Sequence, residues 1–234
     1  MVDYTGHYLL SIDRVTGKPM NTRLLVLPLV FLTVFTVTAK PQAARQELED
    51  YHGCGMEGDA RSESVRELNR LKNRYTAPAA DQINPAVTLA AMLAPGYDAS
   101  RWTTSYGAVV IGYVHDVKVG GIETVNCQAR DPRFRDTHIE LVLDPMNSGS
   151  TKRVIVEVTP RWRAIMAAKG IDWSTRALRD KFLGRWVKVT GWMLFDMEHQ
   201  GQAENTAPGR PRDWRATAWE IHPVTAIAVV PRPR

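Results

Sequence analysis

The fold is decided by the stretch AVVIGYVHDVKV (Ala108–Val119), which is rich in β-branched residues and has a glycine, Gly112, near its middle. β-Branched residues favour extended strands, and a glycine inside a strand is typical of a bend or bulge. We therefore expect a long first strand here, bent at Gly112.

Two further strands follow, THIELVL (Thr137–Leu143) and RVIVEVT (Arg153–Thr159). Successive side chains of a strand point to opposite faces, so the alternation of apolar and polar residues assigns each side chain to a face. The first of these strands is predicted to place Thr137, Ile139, Leu141 and Leu143 on one face and His138, Glu140 and Val142 on the other. The second is predicted to point Val154, Val156 and Val158 inward, with Ile155 and Glu157 on the opposite face.

The rest of the C-terminal half predicts a helical stretch and two more strands. The helical stretch, Trp162–Leu183, is interrupted at Gly170, restarts at the capping residues Asp172 or Ser174, and stops at Gly184. A fourth strand is expected over Arg185–Phe195 and a fifth, kinked at Pro223, over Ala216–Val229.

Three strands, a helix and two strands in this order resemble the OB-fold, a five-stranded Greek-key barrel. The resemblance covers residues 107–230. The predicted fold class is mainly β (α+β), an OB-fold-like five-stranded barrel with a helix between strands three and four, preceded by a short helical segment. The segments THIELVLD, GWMLFD and WEIHPVTAI also resemble a group of exported bacterial proteins, a likeness that implies no function.

The N-terminal part predicts an export signal followed by a helical extension. The uncharged run LLVLPLVFLTVFTV (Leu24–Val37) follows Arg23 and precedes Ala39, which is typical of a cleaved signal peptide with translation starting at Met20. A retained membrane anchor and a buried core helix are the alternatives. We expect a signal region at 1–39, a helical extension at 40–106 with helices over Asp59–Asn73 and from Asn84-Pro85, the barrel at 107–234, and a periplasmic or extracellular location.

The cysteines and the composition narrow the function classes. Cys54 and Cys127 are the only cysteines, and an oxidising compartment would let them form a disulfide; two unrelated thiols are the alternative. The 234 residues are 44% hydrophobic and 24% charged, typical of a globular protein, and the net charge of +5 permits an anionic partner without requiring one. The sequence has no G-x-S-x-G elbow, no P-loop, no H-E-x-x-H and no C-x-x-C.

Two loops of the predicted barrel are rich in arginine and aromatic residues. In the OB-fold, ligands lie across strands two and three, between the loop after strand one and the loop after strand four. Here these loops are Gly120–Arg135 and Met197–Arg215. Guanidinium groups bind phosphates and flat rings stack on bases, so the loops favour a nucleic acid or a polysaccharide. The predicted ligand-binding residues are Arg133, Arg135, Arg212, Trp214 and Arg215.

A group of acidic and histidine residues points to different chemistry. Asp136, His138 and Glu140 share one face of the second strand, and Glu220 and His222 share one face of the fifth. Imidazole and carboxylate groups can hold a metal or transfer protons, with His138 and His222 as the metal ligands. A solvated strand face and a local salt-bridge network with nearby arginines are the alternatives. OB-fold nucleases of the staphylococcal type place acidic metal ligands and arginines beside such a barrel.

Three functional hypotheses follow. The first is an exported OB-fold-like binding module for an extended anionic or polar ligand, either nucleic acid or oligosaccharide. The second is a metal-dependent phosphodiesterase or nuclease-like hydrolase that uses Asp136, His138, Glu140, Glu220 and His222 with a single divalent metal. The third is an envelope protein-interaction module. The sequence sets neither the ligand nor the oligomeric state.

Overall fold

The computed structural model describes residues 39–233, with side chains from residue 42 onward. The predicted signal segment, Leu24–Val37, lies outside the described residues. Within residues 39–233, no helix combines the length and the apolar character that crossing a membrane requires. Residues from Ala39 onward form one compact unit.

Five strands close into a barrel, which confirms the predicted fold class. Around the barrel the order is β3, β4, β5, β7 and β6, with β5 and β7 parallel and the other pairs antiparallel. This arrangement is the strand order of an OB-fold-like barrel. The strands are β3 (Gly107–Val119), β4 (Thr137–Val142), β5 (Val154–Val158), β6 (Trp186–Phe195) and β7 (Trp219–Val229).

The helices are short and lie outside the barrel strands. They are α1 (Ala39–Glu49), α2 (Glu63–Lys72), α3 (Leu89–Leu93), α4 (Pro160–Ala167) and α5 (Thr175–Phe182). The extension also contains a two-stranded ribbon of β1 (Asp50–Tyr51) and β2 (Cys54–Gly55).

Two predicted helix starts shift because another residue caps the helix. α2 begins after Ser62, whose hydroxyl accepts a hydrogen bond from the Val65 N–H. α3 begins after Thr88 instead of at Asn84-Pro85, since Asn84 accepts from the Ala86 N–H within a turn. The break predicted at Gly170 is present, and Ser174 caps the second of the two helices, α5.

Gly112 serves close packing and marks no bulge. A Cβ at this position would lie 2.6 Å from Leu89 Cδ2 and 3.2 Å from Leu141 Cβ, so a larger residue would displace the Leu89 side chain of α3. The irregularity in the β3–β4 pairing falls between Val114 and Asp116. At Gly112 the strand therefore contacts Leu89 of the extension, and the pairing irregularity lies further along the strand.

The barrel core is formed by the inward face that the alternation predicts. Ile139 and Leu141 of β4, Val156 of β5 and Ile221 of β7 are fully buried in one apolar cluster. The opposite face, however, is buried as well, because every residue of β4 and β5 is shielded from solvent. The expectation of a solvated outer face on the second strand is therefore wrong.

Arginine side chains join the extension to β6, β7 and α4. Arg74, which follows α2, donates to the main-chain carbonyls of Met193 (3.0 Å) and His222 (3.4 Å). Arg161 of α4 is 1% exposed and donates to the Cys54 carbonyl at 2.6 Å. Its guanidinium also donates to Asn73 Oδ1 at 2.6 Å. These bonds fix the extension on the barrel.

A disulfide joins Cys54 to Cys127, as predicted. It links the extension to the loop between β3 and β4, and disulfides of this kind are typical of proteins in an oxidising compartment.

The segment around Cys54, GCGMEG (residues 53–58), has the G-x-G-x-x-G spacing of dinucleotide-binding turns. Here Gly58 packs so closely on the Thr124 carbonyl that a Cβ would lie 1.9 Å from its oxygen, and no βαβ unit surrounds the segment in the described chain.

Candidate functional site

A buried polar face lies on the outer side of β4, β5 and β7. Antiparallel pairing sets His138 of β4 directly opposite Glu157 of β5. Parallel pairing of Val156 with Ile221 places Glu220 and His222 of β7 beside the same face. In the barrel, β7 lies between β5 and β6.

His138, Glu157 and His222 lie at the centre of this face. Glu157 Oε1 lies 2.9 Å from His138 Nδ1, and Glu157 Oε2 lies 3.5 Å from His222 Nδ1. Burial opposes the charged form of His138, but the contacts with Glu140 and Glu157 outweigh it and raise the pKa of His138 to about 9. Burial likewise opposes ionisation of Glu157, while the two histidines bring its pKa down to about 2. The centre is therefore a buried imidazolium–carboxylate pair.

Asp136 is the carboxylate on this face that lacks a hydrogen-bond partner. It immediately precedes β4, is 3% exposed, and neither of its oxygens has a partner among the described residues. The nearest imidazole nitrogen, His222 Nε2, lies 3.7 Å from Asp136 Oδ2 and also lacks a partner. Burial raises the pKa of Asp136 to about 7, with His222 opposing the shift.

Glu220 and Arg215 form a fully enclosed ion pair beside His222. Arg215 Nη2 lies 2.7 Å from Glu220 Oε1, and Arg215 is 0% exposed. The other oxygen of Glu220, Oε2, lies 3.1 Å from His222 Nδ1. The chain Arg215–Glu220–His222 therefore orients the imidazole ring.

A second ion-pair group lies where the extension meets the end of β6. Lys72 of α2 places its Nζ 2.9 Å from Glu123 Oε2 and 3.0 Å from Asp196 Oδ2. His199 Nδ1 lies 2.9 Å from the same Asp196 oxygen. Although burial disfavours the charged form of Asp196, the ammonium of Lys72 and the His199 ring lower its pKa. The extension therefore supplies a buried cation to the barrel face.

Glu140 belongs to a salt-bridge network at the margin of the face. Its oxygens lie 2.5 Å from Lys118 Nζ and 2.9 Å from Arg153 Nη1. Burial opposes ionisation, but His138 and the two cations lower the pKa of Glu140 to about 2. This arrangement matches the salt-bridge alternative for Glu140, one of the three that the sequence left open.

A pocket of about 320 Å³ opens onto this face between the loops predicted to flank the ligand. Trp214 forms part of its wall, with its ring 5.5 Å from the rings of both His138 and His199. The carboxylates in the wall are Glu123, Glu157, Asp196 and Glu220, and the cations are Lys118 and Arg215.

A larger pocket, about 460 Å³, lies by α4 and α5. There the Arg163 guanidinium donates to the Thr137 hydroxyl and to the Arg133 and Arg135 carbonyls.

The predicted ligand-binding residues are distributed over several surfaces. Trp214 and Arg215 line the barrel-face pocket, with Arg215 enclosed against Glu220. Arg133 lines the larger pocket and pairs with Asp131, whereas Arg212 is exposed in a third pocket. Arg135 lies beside α4, since its carbonyl accepts from Arg163. The four arginines therefore do not form one basic surface.

Two triplets on this face bring metal-ligating atoms within 4.8 Å of one another, Asp136–Glu157–His222 and Asp196–His199–Glu220. In the second triplet, Lys72 already places a positive charge against Asp196. In the first, Asp136 and His222 Nε2 have no hydrogen-bond partner among the described residues. His138, predicted as a metal ligand, belongs to neither triplet and instead binds Glu157.

Sequence reasoning missed Glu157 and Lys72 as members of the site. Glu157 can be assigned to the site once β4 and β5 are paired, because the strand register places it opposite His138. Lys72 lies on a charged helix whose charges are typical of a solvated surface, and the sequence has no pattern that marks its burial.

Neither a known protein family nor a curated protein sequence matches this chain.

The free energy of unfolding is expected to be highest at about pH 4.5 to 5. The pKa of His138 rises from 6.5 to about 9 on folding, so its contribution is complete below 6.5 and disappears as the pH rises through 9. The pKa values of Glu140 and Glu157 fall from 4.5 to about 2, so their contribution disappears as the pH falls towards 2. Burial raises the pKa of Asp136 from 3.8 to about 7, so this carboxyl lowers the free energy of unfolding as the pH rises from about 3.8 to 7 and shifts the maximum to the acidic side.

Urea denaturation across this pH range measures the effect. The His138→Gln variant should lose about 3 kcal/mol less than the wild type between pH 6.5 and pH 9. The raised pKa of His222, which burial opposes and the neighbouring carboxylates favour, leaves a smaller decline in the variant. His52→Gln, at an exposed histidine of the extension, is the matched control and should retain the wild-type profile. An alkaline decline that is equal in the wild type and in His138→Gln would contradict the assignment.

Proposed function

We propose that the protein is an exported OB-fold binding module and that the pocket on its barrel face binds a polar oligosaccharide. The observation behind this proposal is the position and lining of the pocket. It lies on the face formed by β4 and β5, between the two loops that bracket ligands in OB-folds. An aromatic ring and several polar groups converge on it.

The charges of the pocket favour a saccharide over a nucleic acid. Each described cation of the wall has a carboxylate partner: Arg215 pairs with Glu220, and Lys118 pairs with Glu140. His138 and His199 are likewise held by Glu157 and Asp196. Phosphates gain most from unpaired positive charge, whereas hydroxyl groups can donate to carboxylates and accept from the cations at the same time.

Trp214 gives the pocket an apolar wall. Its indole N–H donates to Gln202 Oε1 at 2.6 Å, which fixes the ring plane. Pyranose rings present an apolar face of C–H groups beside their hydroxyls, and aromatic side chains combine apolar area with few degrees of freedom. A fixed ring next to paired carboxylates is therefore suited to one sugar unit.

Two observations support the export part of this proposal. The Cys54–Cys127 disulfide is stable in oxidising compartments. The apolar segment at Leu24–Val37, with a basic residue before it and alanine after it, has the composition of a signal peptide. Expression of the full gene fused to a periplasm-dependent reporter tests this part, and cytoplasmic retention would contradict it.

The test of the binding part uses an array of neutral and amino-sugar oligosaccharides, with a short single-stranded oligonucleotide as the polyanion comparison. We expect saccharide binding that is insensitive to salt and at least about tenfold weaker in Trp214→Ala, the equivalent of about 1.4 kcal/mol. Trp186→Ala is the matched control, because Trp186 packs on Tyr113 and does not line the pocket. Oligonucleotide binding that weakens steeply with salt, without saccharide binding, would contradict the proposal.

A metal-dependent hydrolase is the second candidate function. The observation that favours it is the Asp136–Glu157–His222 triplet next to the pocket, since a cation there would polarise a bound ester or phosphodiester. Hydrolysis of a chromogenic phosphodiester that requires a divalent cation and is lost in His222→Gln would support this function. Equal rates with and without chelator would argue against it.

A further inference from the structure

We infer that Asp136, Glu157 and His222 form a binding site for one divalent first-row transition-metal cation, Zn²⁺ or Mn²⁺. The residues come from three neighbouring segments: the residue before β4, and strands β5 and β7. One oxygen or nitrogen atom from each lies within 4.8 Å of the other two, so small side-chain movements would bring all three to coordination distance. This inference does not depend on the proposed saccharide binding.

The unpartnered atoms distinguish this triplet from the Asp196–His199–Glu220 triplet, which has none among its buried side-chain atoms in the described chain. Asp136 is 3% exposed and His222 is 0% exposed. Neither oxygen of Asp136, nor Nε2 of His222, has a hydrogen-bond partner within the described chain. Buried polar atoms almost always have partners, and a group that lacks one is explained by an ion or water that satisfies it. A cation between Asp136 and His222 would satisfy all three atoms.

The surrounding residues orient the ligands as outer-shell groups do in metal sites. His222 Nδ1 lies 3.1 Å from Glu220 Oε2, which would direct Nε2 towards the cation. Arg215 in turn holds Glu220 at 2.7 Å. Glu157 is fixed through Oε1 by His138 at 2.9 Å, whereas its Oε2 lies 3.5 Å from His222 Nδ1, so this oxygen must turn towards the Nε2 side to reach the cation. Carboxylate–histidine–metal arrangements of this type set both ring orientation and affinity.

The ligand set and the route of entry define the class of cation. One imidazole and two carboxylates suit Zn²⁺ and Mn²⁺, whereas Ca²⁺ and Mg²⁺ are usually held by oxygen ligands alone. Three protein ligands leave a coordination position open. Glu157 and Glu220 line the pocket of about 320 Å³. Solvent and ions therefore reach the edge of the triplet from that side.

The test is metal binding by the full-length protein after treatment with chelator and dialysis. Zn²⁺ and Mn²⁺ are added separately, and isothermal titration and elemental analysis give affinity and stoichiometry. We expect one equivalent of at least one of these ions, a rise in the melting temperature on binding, and an at least about 100-fold lower affinity in Asp136→Asn. This change keeps the shape of the side chain and breaks no hydrogen bond among the described residues.

Three further variants locate the ion and exclude unfolding as the cause. Asp131→Asn, five residues earlier at a carboxylate that pairs with Arg133, should bind metal like the wild type. Glu157→Gln, the second ligand variant, should also lose the ion while keeping the wild-type circular dichroism spectrum. The inference is overturned if the wild type binds neither ion. It is also overturned if Asp136→Asn binds normally, or if Asp196→Asn alone abolishes binding, since the ion would then occupy the other triplet.

Discussion

Replacing Lys72 by methionine is expected to lower the free energy of unfolding by about 3 to 5 kcal/mol. Methionine has a similar length and fills the same space, so the main change is the loss of the ammonium group. In the native protein that group lies 2.9 Å from Glu123 and 3.0 Å from Asp196, with the side chains of Lys72 and Asp196 each 2% exposed. Without it, the buried Asp196 carboxylate keeps the His199 ring and the Glu198 N–H as hydrogen-bond partners but loses its ammonium partner.

The pH dependence of this loss identifies its cause. Lys72 and His199 lower the pKa of Asp196 in the native state, so the stabilisation is present at neutral pH and is lost as the pH falls through the acidic range. The difference between wild type and Lys72→Met in urea denaturation should therefore shrink towards acidic pH. Lys169→Met, at an exposed lysine, is the control and should change stability by less than about 0.5 kcal/mol. If Lys72→Met lowered the free energy of unfolding by less than about 0.5 kcal/mol, the buried ammonium group would not be needed for stability.

Removing the disulfide is the second change with a large expected effect. The bond joins residues 73 positions apart, and the chain-entropy model assigns a loop of this size a stabilisation on the order of 4 kcal/mol. The double variant Cys54→Ser/Cys127→Ser should unfold at a correspondingly lower urea concentration. Addition of a thiol reductant to the wild type should produce the same shift.

The disulfide should also affect the barrel-face pocket. Glu123, the partner of Lys72, lies in the same loop as Cys127, so freeing this loop weakens the contact between the extension and the barrel. We expect weaker ligand binding after reduction of the wild type and no effect of reductant on the double variant. An unchanged denaturation midpoint after complete reduction, verified by thiol titration, would contradict this role of the bond.

The local patterns of the sequence predict the barrel well. Alternation and β-branched content place all five strands within a few residues of their observed bounds, because each strand buries an apolar face and the spacing of that face is fixed by the backbone. The pairing of Cys54 with Cys127 also follows, since the chain offers no other cysteine. Helix starts are less accurate, as the choice of Thr88 over Asn84 as a cap shows.

The candidate site is predicted in part. The residues Asp136, His138, Glu220 and His222 were singled out from their positions on strand faces, and the barrel brings them to one buried surface. Glu157 becomes part of the site through its register with His138. Arg133 and Arg212, grouped with Trp214 from loop composition, instead line separate pockets. Loop composition does not report the direction in which a side chain leaves the loop.

The sequence alone determined the succession of the five strands along the chain, the two faces of β4 and β5, and the one pair of cysteines able to form a disulfide, because these depend on local periodicity and on residue identity. Only the tertiary structure decided that the polar face of β4 and β5 is buried. Arg74 of the extension contacts Met193 and His222 across 119 and 148 positions of the chain, and Lys72 contacts Asp196. The loop before β7 adds Trp214, which packs on His138. A strand's alternation shows that two faces differ, but what covers the second face depends on contacts between distant segments. The chemistry of Asp136 and His222 depends on this burial, because a carboxylate without a hydrogen-bond partner is unusual only where water is excluded.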